Sequence, residues 1–256
     1  MVRLLTVLLA VSLLWSSQTT PTRPLPDHDS FVETTRKNLV RSQREQYRFA
    51  FKERRTELHT NPFGRLGSGG FLVYEVTPRE GGWVIERRLI ERDGQPVRDA
   101  SIEKTDLREQ QRAEQEKRPR KSGLDDSIAM LDFAIDRRET ANGRSMIVLK
   151  FTPKPNARPE TSEGRIAKLF TGSVWIDETQ HEVMRIEATA IDDITMGMGL
   201  VARLNEGTKA TVTREQIDGN IWLPTSIRFV GQGRALLFRR LNIDQRIEWF
   251  DYRKLI

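Results

Sequence analysis

The sequence predicts a mainly β (α+β) fold: a curled antiparallel sheet, or unclosed β-barrel, of roughly ten strands with an N-terminal helix and a middle helical lid or plug. Three observations predict it. From Gly172 onward, period-two stretches and turn pairs such as Asp218-Gly219 follow one another almost without interruption. Helical periodicity is confined to the start and the middle of the chain. A sheet of that size curls, and the apolar segment around Ile128 to Phe133 is the natural filler of its concave side.

The chain opens with one basic residue, Arg3, then the apolar run Leu4 to Trp15 and the small polar stretch Ser16 to Thr20. That order is a secretory leader's, so residues 1–20 are expected to be removed and the mature protein to be periplasmic or otherwise exported. A membrane anchor is the alternative, but the apolar run is shorter than the roughly 20 residues that cross a bilayer as a helix. The chain has no cysteine, which excludes disulfides, thiolate chemistry and a lipid anchor on cysteine. Residues 21–29 read as an extended tether, broken by Pro21, Pro24 and Pro26. A single domain is expected over 30–256.

Phe31, Thr34, Leu39 and Val40, set among charged residues, predict an amphipathic helix from Ser30 to Glu45, with Ser30 as N-cap and Glu33 as its capping-box partner. From Gln46 the period becomes two, with Tyr47, Phe49 and Phe51 on one face. Phe71 to Val76 and Trp83 to Ile90 form the next strands, and Asp93-Gly94 is a tight turn leading to Gln95 to Val97. Ser101 to Ser122 carries charge on every face and suits a solvated helix. In Leu124 to Ile135, the residues Leu124, Ile128, Leu131 and Ile135 fall on one helical stripe, with Asp125 and Asp126 in its first turn. The strands expected afterwards are Ser145 to Thr152, Gly172 to Asp177, Glu182 to Ile191, Leu200 to Leu204, Lys209 to Ile217, Ile221 to Val230 and Ala235 to Tyr252. The last is long enough to bend or to make two. Arg165 to Phe170 reads as a short helical turn or connector.

The stretch Gly172-Ser173-Val174-Trp175-Ile176-Asp177-Glu178-Thr179-Gln180-His181-Glu182-Val183-Met184-Arg185-Ile186-Glu187 has a strand ending in Trp-Ile-Asp, a short polar turn, and Val-x-Arg-Ile-Glu on the return. Together with Asn142-Gly143-Arg144 and Ile221-Trp222-Leu223-Pro224, it resembles the LolA/LolB-like outer-membrane lipoprotein-sorting family. The order of elements agrees over most of residues 30–256. The resemblance implies an unclosed β-barrel with a helical lid, a cavity that accepts lipid acyl chains, and a role in ferrying lipoproteins or sensing envelope components. The family's lid-contacting arginine has three candidates here: Arg48, Arg54 and Arg55.

The reading that follows is a monomeric carrier or binder of lipid or lipoprotein acyl chains, with Ile128, Leu131, Phe133, Trp175, Met184, Met196 and Met198 lining its cavity. The alternative is an envelope sensor that uses the same fold as a protein-binding platform. The net charge of +6 either serves only to keep the chain in solution or favours anionic lipid or envelope surfaces, and not nucleic acid, as partner of an exported chain. Lys117, Arg118, Arg120 and Lys121 form a basic knot that is either an anionic-surface contact or a solvated helix end. His28, His59 and His181 stand at no metal-ligand spacing, no nucleophile pairs with a base, and Gly64 to Gly70 leads into a strand where a phosphate loop would start a helix. No catalysis and no cofactor are expected.

Overall fold

The computed structural model describes residues 23–57, 70–78, 85–97, 123–141, 143–196, 202–235 and 239–255. The solvated helix expected over Ser101 to Ser122, the greater part of the Gly64 to Gly70 loop, and the leader lie outside the described residues.

The N-terminal helix α1 runs His28–Gln46. It begins two residues before the expected cap because Asp27, behind Pro26, accepts the Ser30 backbone N–H and so takes the N-cap role. Phe31 and Thr35, four residues apart, are buried on one face, with Ser42 two turns further on. The N-terminal strands are β1 (Phe49–Glu57), β2 (Phe71–Pro78), β3 (Ile85–Arg92) and the two-residue β4 (Gln95–Pro96). Asp93 and Gly94 both have positive φ, 49° and 81°, the conformation that joins β3 and β4 as the Asp-Gly pair implied.

The segment Leu124 to Ile135 is not one helix. Helix α2 (Gly123–Ala129) stops after two turns, and strand β5 (Leu131–Ala141) starts immediately. Leu131, Phe133 and Ile135 satisfy the helical stripe and also alternate with Asp132, Ala134 and Asp136, and pairing with β6 (Arg144–Pro153) decides for the strand. Met130 closes the turn between them, its N–H bound to the Asp126 carbonyl. Helix α3 (Ser162–Ala167) follows, capped by Thr161. Then come β7 (Phe170–Asp177), β8 (Val183–Ala190), β9 (Ile194–Met196), β10 (Ala202–Leu204), β11 (Lys209–Asp218), β12 (Ile221–Ala235) and β13 (Arg239–Lys254). The long C-terminal segment is one strand.

Among the described residues all thirteen strands join one antiparallel sheet, in the order β4-β3-β2-β1-β13-β12-β11-β8-β7-β6-β5, with β9 and β10 attached to β12. This exceeds the roughly ten expected because β5, on a segment expected as helix, and the short strand β9 add to it. The sheet curls and its two ends, β4 and β5, do not pair, so the barrel is unclosed. The ladder from Phe49↔Lys254 to Glu57↔Gln245 ties the N-terminal hairpins to the last strand. Two buried clusters form the core. The larger joins Phe31 of α1 to Ile147, Leu149, Phe151, Val174, Ile176 and Val183; the smaller is Phe51, Tyr74 and Val76 with Trp249 and Tyr252.

Helix α2 is held to α3 by one buried carboxylate. Asp126 accepts from the N–H of Glu160 at 2.9 Å, the N–H of Thr161 at 2.8 Å and the Thr161 hydroxyl at 2.8 Å. Gly164 gives it room: a Cβ there would stand 2.1 Å from the same carboxylate oxygen. Three bonds converge on one carboxylate oxygen, and removing it strands their donors in the interior. Asp126→Ala is expected to lower unfolding free energy by about 2–4 kcal/mol in urea titrations. A loss below about 1 kcal/mol would show that the pin contributes little.

Candidate functional site

Helices α1 and α2 do not sit flush on the sheet. Between them and strands β5 to β8 lies a cavity of about 190 Å³. Helix α1 supplies Val32, Thr35 and Leu39; α2 supplies Leu124, Ser127 and Ile128; the sheet supplies Leu131, Phe133, Leu149, Phe151, Val174, Ile176, Val183 and Ile186. The two hydroxyl residues do not make the wall polar. Thr35 donates to the Phe31 carbonyl at 2.9 Å and Ser127 to the Gly123 carbonyl at 2.7 Å, each turned back onto its own helix. The single charged lining residue is Arg36, at the edge.

A larger cleft, about 490 Å³, lies at the ends of β11, β12 and β13. Asn205, Glu206, Gln232, Asn242 and Asp244 line it together with Val230 and Ile243, so its lining is mixed, whereas that of the smaller cavity is almost wholly apolar. Of the two, the smaller cavity has the lining that suits a hydrophobic ligand.

Polar contacts surround the cavity. At the start of α1, His28 Nε2 stands 2.8 Å from the Phe133 carbonyl and Nδ1 stands 2.7 Å from the Asp29 carboxylate. Both neighbours only accept, so both bonds need the doubly protonated ring. The Asp29 bond, and after it the Phe133 bond, raise the His28 pKa above its ordinary value. Across the mouth, Arg36 reaches Asp125 of α2 at 3.3 Å. Further along α1, Asn38 donates to the carbonyls of Gln180 and His181, and Arg41 donates to Glu182 at 2.8 Å. Phe31 packs on the His181 ring, centroids 4.9 Å apart. The β7–β8 turn is thus the seat of α1.

Beneath that seat lies a buried ion pair. Arg214 of β11 donates to the carbonyls of Val183 at 2.9 Å and Trp222 at 2.6 Å, with Glu182 3.6 Å away. Burial pushes both groups toward their neutral forms, the Glu182 carboxyl up and the Arg214 guanidinium down to about 10. Glu182 is therefore a desolvated carboxylate shared between two guanidiniums, one on the sheet and one on the helix.

Of the residues expected to line the cavity, Ile128, Leu131 and Phe133 do so. Trp175 does not. It lies on the other face of β7 from Val174 and Ile176, where its indole N–H donates to Glu139 at 2.8 Å and Arg185 stacks on its ring. Met184 does not line it either, because a bulge opposite Trp175 and Ile176 sets Arg185 against Trp175 and Val183 against Ile176. Val183 replaces it on the wall. Met196 ends β9, paired with Ala202. Met198, Lys117, Arg118, Arg120 and Lys121 lie outside the described residues. Among the candidate arginines, Arg54 stacks on Phe71 and Phe250, Arg55 binds Glu53, and Arg48 binds Glu45; none lines the cavity. The helix-side lining, Val32 and Leu39, was missed as a site, although Leu39 stood out as an apolar position on the helix. The usable signal was their spacing with Phe31 and Thr35 along one helical face.

The architecture is the unclosed, curled antiparallel sheet with an N-terminal and a middle helix that the sequence predicts. No family model and no curated protein matches the chain. Among solved structures it is similar to a LolA superfamily protein from Nitrosomonas europaea, at 13% identity over 89% of this chain and 92% of that one, TM-score 0.35. It is similar to a DUF1329 family protein from Desulfovibrio piger, at 13% identity, 87% and 92% coverage and TM-score 0.33. A Vibrio parahaemolyticus domain assigned to outer membrane lipoprotein sorting gives 12% identity, 86% and 93% coverage and TM-score 0.33. Likenesses this distant assign neither a family nor a ligand.

The His28 contacts carry a pH dependence whose sign is fixed. Because the folded-state pKa is raised, the stabilisation is complete below the unfolded value of about 6.5 and is lost as pH rises through the higher folded value. NMR titration should show Asp29→Asn bringing the His28 pKa down. Amide protection at the start of α1 should fall between mildly acidic and mildly basic pH in the parent and stay flat in His28→Ala.

Proposed function

We propose that this chain is an exported binder of a hydrophobic ligand, an acyl chain of a lipid or lipoprotein, received between the curled sheet and helices α1 and α2. The observation that carries the reading is the apolar cavity, walled on one side by strands and on the other by a two-turn helix. Export rests on the basic residue and apolar run at residues 3–15.

Size sets the mechanism. At about 190 Å³ the cavity is smaller than the roughly 300–1,000 Å³ of typical ligand sites. A long chain enters only if a wall moves. Helix α2 is the smaller wall, and its apolar face, Leu124 and Ile128, covers the sheet in the way an acyl chain would. Exchange of one apolar cover for another loses little burial, and each further methylene taken from water adds about 0.8 kcal/mol. Affinity then grows with chain length and gains nothing from hydrogen bonds inside the cavity. The Asp126 pin keeps α2 and α3 together, so they move as one body.

The test is titration of the purified protein with the apolar fluorophore 1-N-phenylnaphthylamine, displaced by fatty-acyl ligands of increasing length. The parent should bind the probe and release it at lower concentrations of longer chains. Leu131→Glu, which puts a carboxylate on the cavity wall, should lose probe binding at least tenfold while circular dichroism remains that of the folded sheet. A folded parent that refuses every apolar ligand would move the reading to a protein-binding platform of the same fold.

A further inference from the structure

The apolar cavity has a charged annex. On the outer side of α1 a groove of about 450 Å³ runs beside Asp125, lined by Arg36, Lys37, Val40, Arg41, Arg44 and Glu45. Arg36 belongs to both linings, so the groove begins where the cavity ends. The geometry points to a headgroup subsite: the ligand is an amphiphile with an anionic headgroup, its chain in the cavity and its phosphate over α1. This rests on the cavity reading above and adds the class of headgroup.

The charge balance supports an anion. Four cations and two carboxylates line the groove; Arg36 is shared between Asp125 and Glu33, and Glu45 is engaged by Arg48. Arg41 shares the buried Glu182 with Arg214, so one carboxylate serves two guanidiniums. Lys37 touches Glu33 at 3.5 Å, and Arg44 makes no ion pair among the described residues. A phosphate there would meet guanidinium donors suited to bidentate contact. Position matters as much as charge. The cavity accepts no headgroup, because its wall is apolar except at Arg36, and the chain must therefore leave its head at that edge. A zwitterionic head would bring its own cation into a field that is already positive, so selection is for net negative charge.

The experiment uses the same fluorophore displacement with two lysophospholipids of identical acyl chain, kept below their micelle concentrations: lysophosphatidylglycerol and lysophosphatidylcholine. The anionic lipid should displace the probe at about tenfold lower concentration. The gap should close at about 1 M salt, where screening shortens to about 3 Å. It should also close in the double variant Lys37→Gln, Arg44→Gln, which leaves the cavity wall intact and whose unchanged probe binding reports the fold. Equal displacement by the two lipids overturns the headgroup subsite while the cavity stands. Preference for the anionic lipid that survives in the double variant overturns the groove as its seat. Failure to bind the probe and both lipids overturns the cavity reading itself. Inorganic phosphate alone should displace nothing, since the affinity is built on the chain; displacement by phosphate would overturn the assignment to a lipid.

Discussion

The structure depends on Phe31. A curled sheet that does not close has an apolar concave face and no second sheet to cover it, and water on that face would cost roughly 25 cal/mol for each Å² left exposed. Phe31 sits 2% exposed against Ile147, Leu149 and Ile176, and in doing so fixes where α1 crosses the sheet. Everything at the candidate site follows from that line. With Phe31 seated, Val32, Thr35 and Leu39 face the strands, Arg36 reaches the rim, and Lys37, Arg41 and Arg44 are left on the outer side. One helix therefore gives the site an apolar side and a cationic side by periodicity alone.

The fastenings around the cavity differ in kind from its walls. Asn38, Arg41 and His28 hold α1 through hydrogen bonds at chosen points, Arg36 reaches Asp125 across the mouth, and Asp126 holds α2 to α3, whereas the apolar wall residues meet by dispersion and burial. Polar contacts are directional and fix position; apolar contacts tolerate exchange.

The sheet was legible in the sequence and the lid was half legible, for one physical reason. Strand-and-turn alternation is local, so Asp93-Gly94 and the Trp175-Ile176-Asp177 hairpin read directly. Leu124 to Ile135 carries both periods at once, and the arbiter is the partner strand β6, which lies outside any local window. The cavity residues failed in two instructive ways. Trp175 was expected on the wall, although alternation with Val174 and Ile176 already places it on the opposite face. Met184 was chosen by alternation, and a bulge, which period-two reading does not see, moved Val183 into its place. The cap at Asp27 instead of Ser30 has the same origin as the second failure: two adequate residues within one turn, separated only by which carbonyl and N–H the tertiary structure leaves open.

The pair beneath α1 completes the account of why the helix lies where it does. Glu182 and Arg214 gain little for stability by being buried together, since removing two charges from water costs about as much as their attraction returns. What the pair supplies is position. Arg214 is held by two carbonyls of neighbouring strands, so its charge is fixed in the sheet; Glu182 is fixed by Arg214; and Arg41 must approach from the helix side to complete the shell. Phe31 sets where the first half of α1 crosses the sheet, and Arg41 at Glu182 ties the second half to the same register. A desolvated carboxylate permits one register only, and that register is the one that puts Arg36 at the boundary between the apolar cavity and the cationic groove.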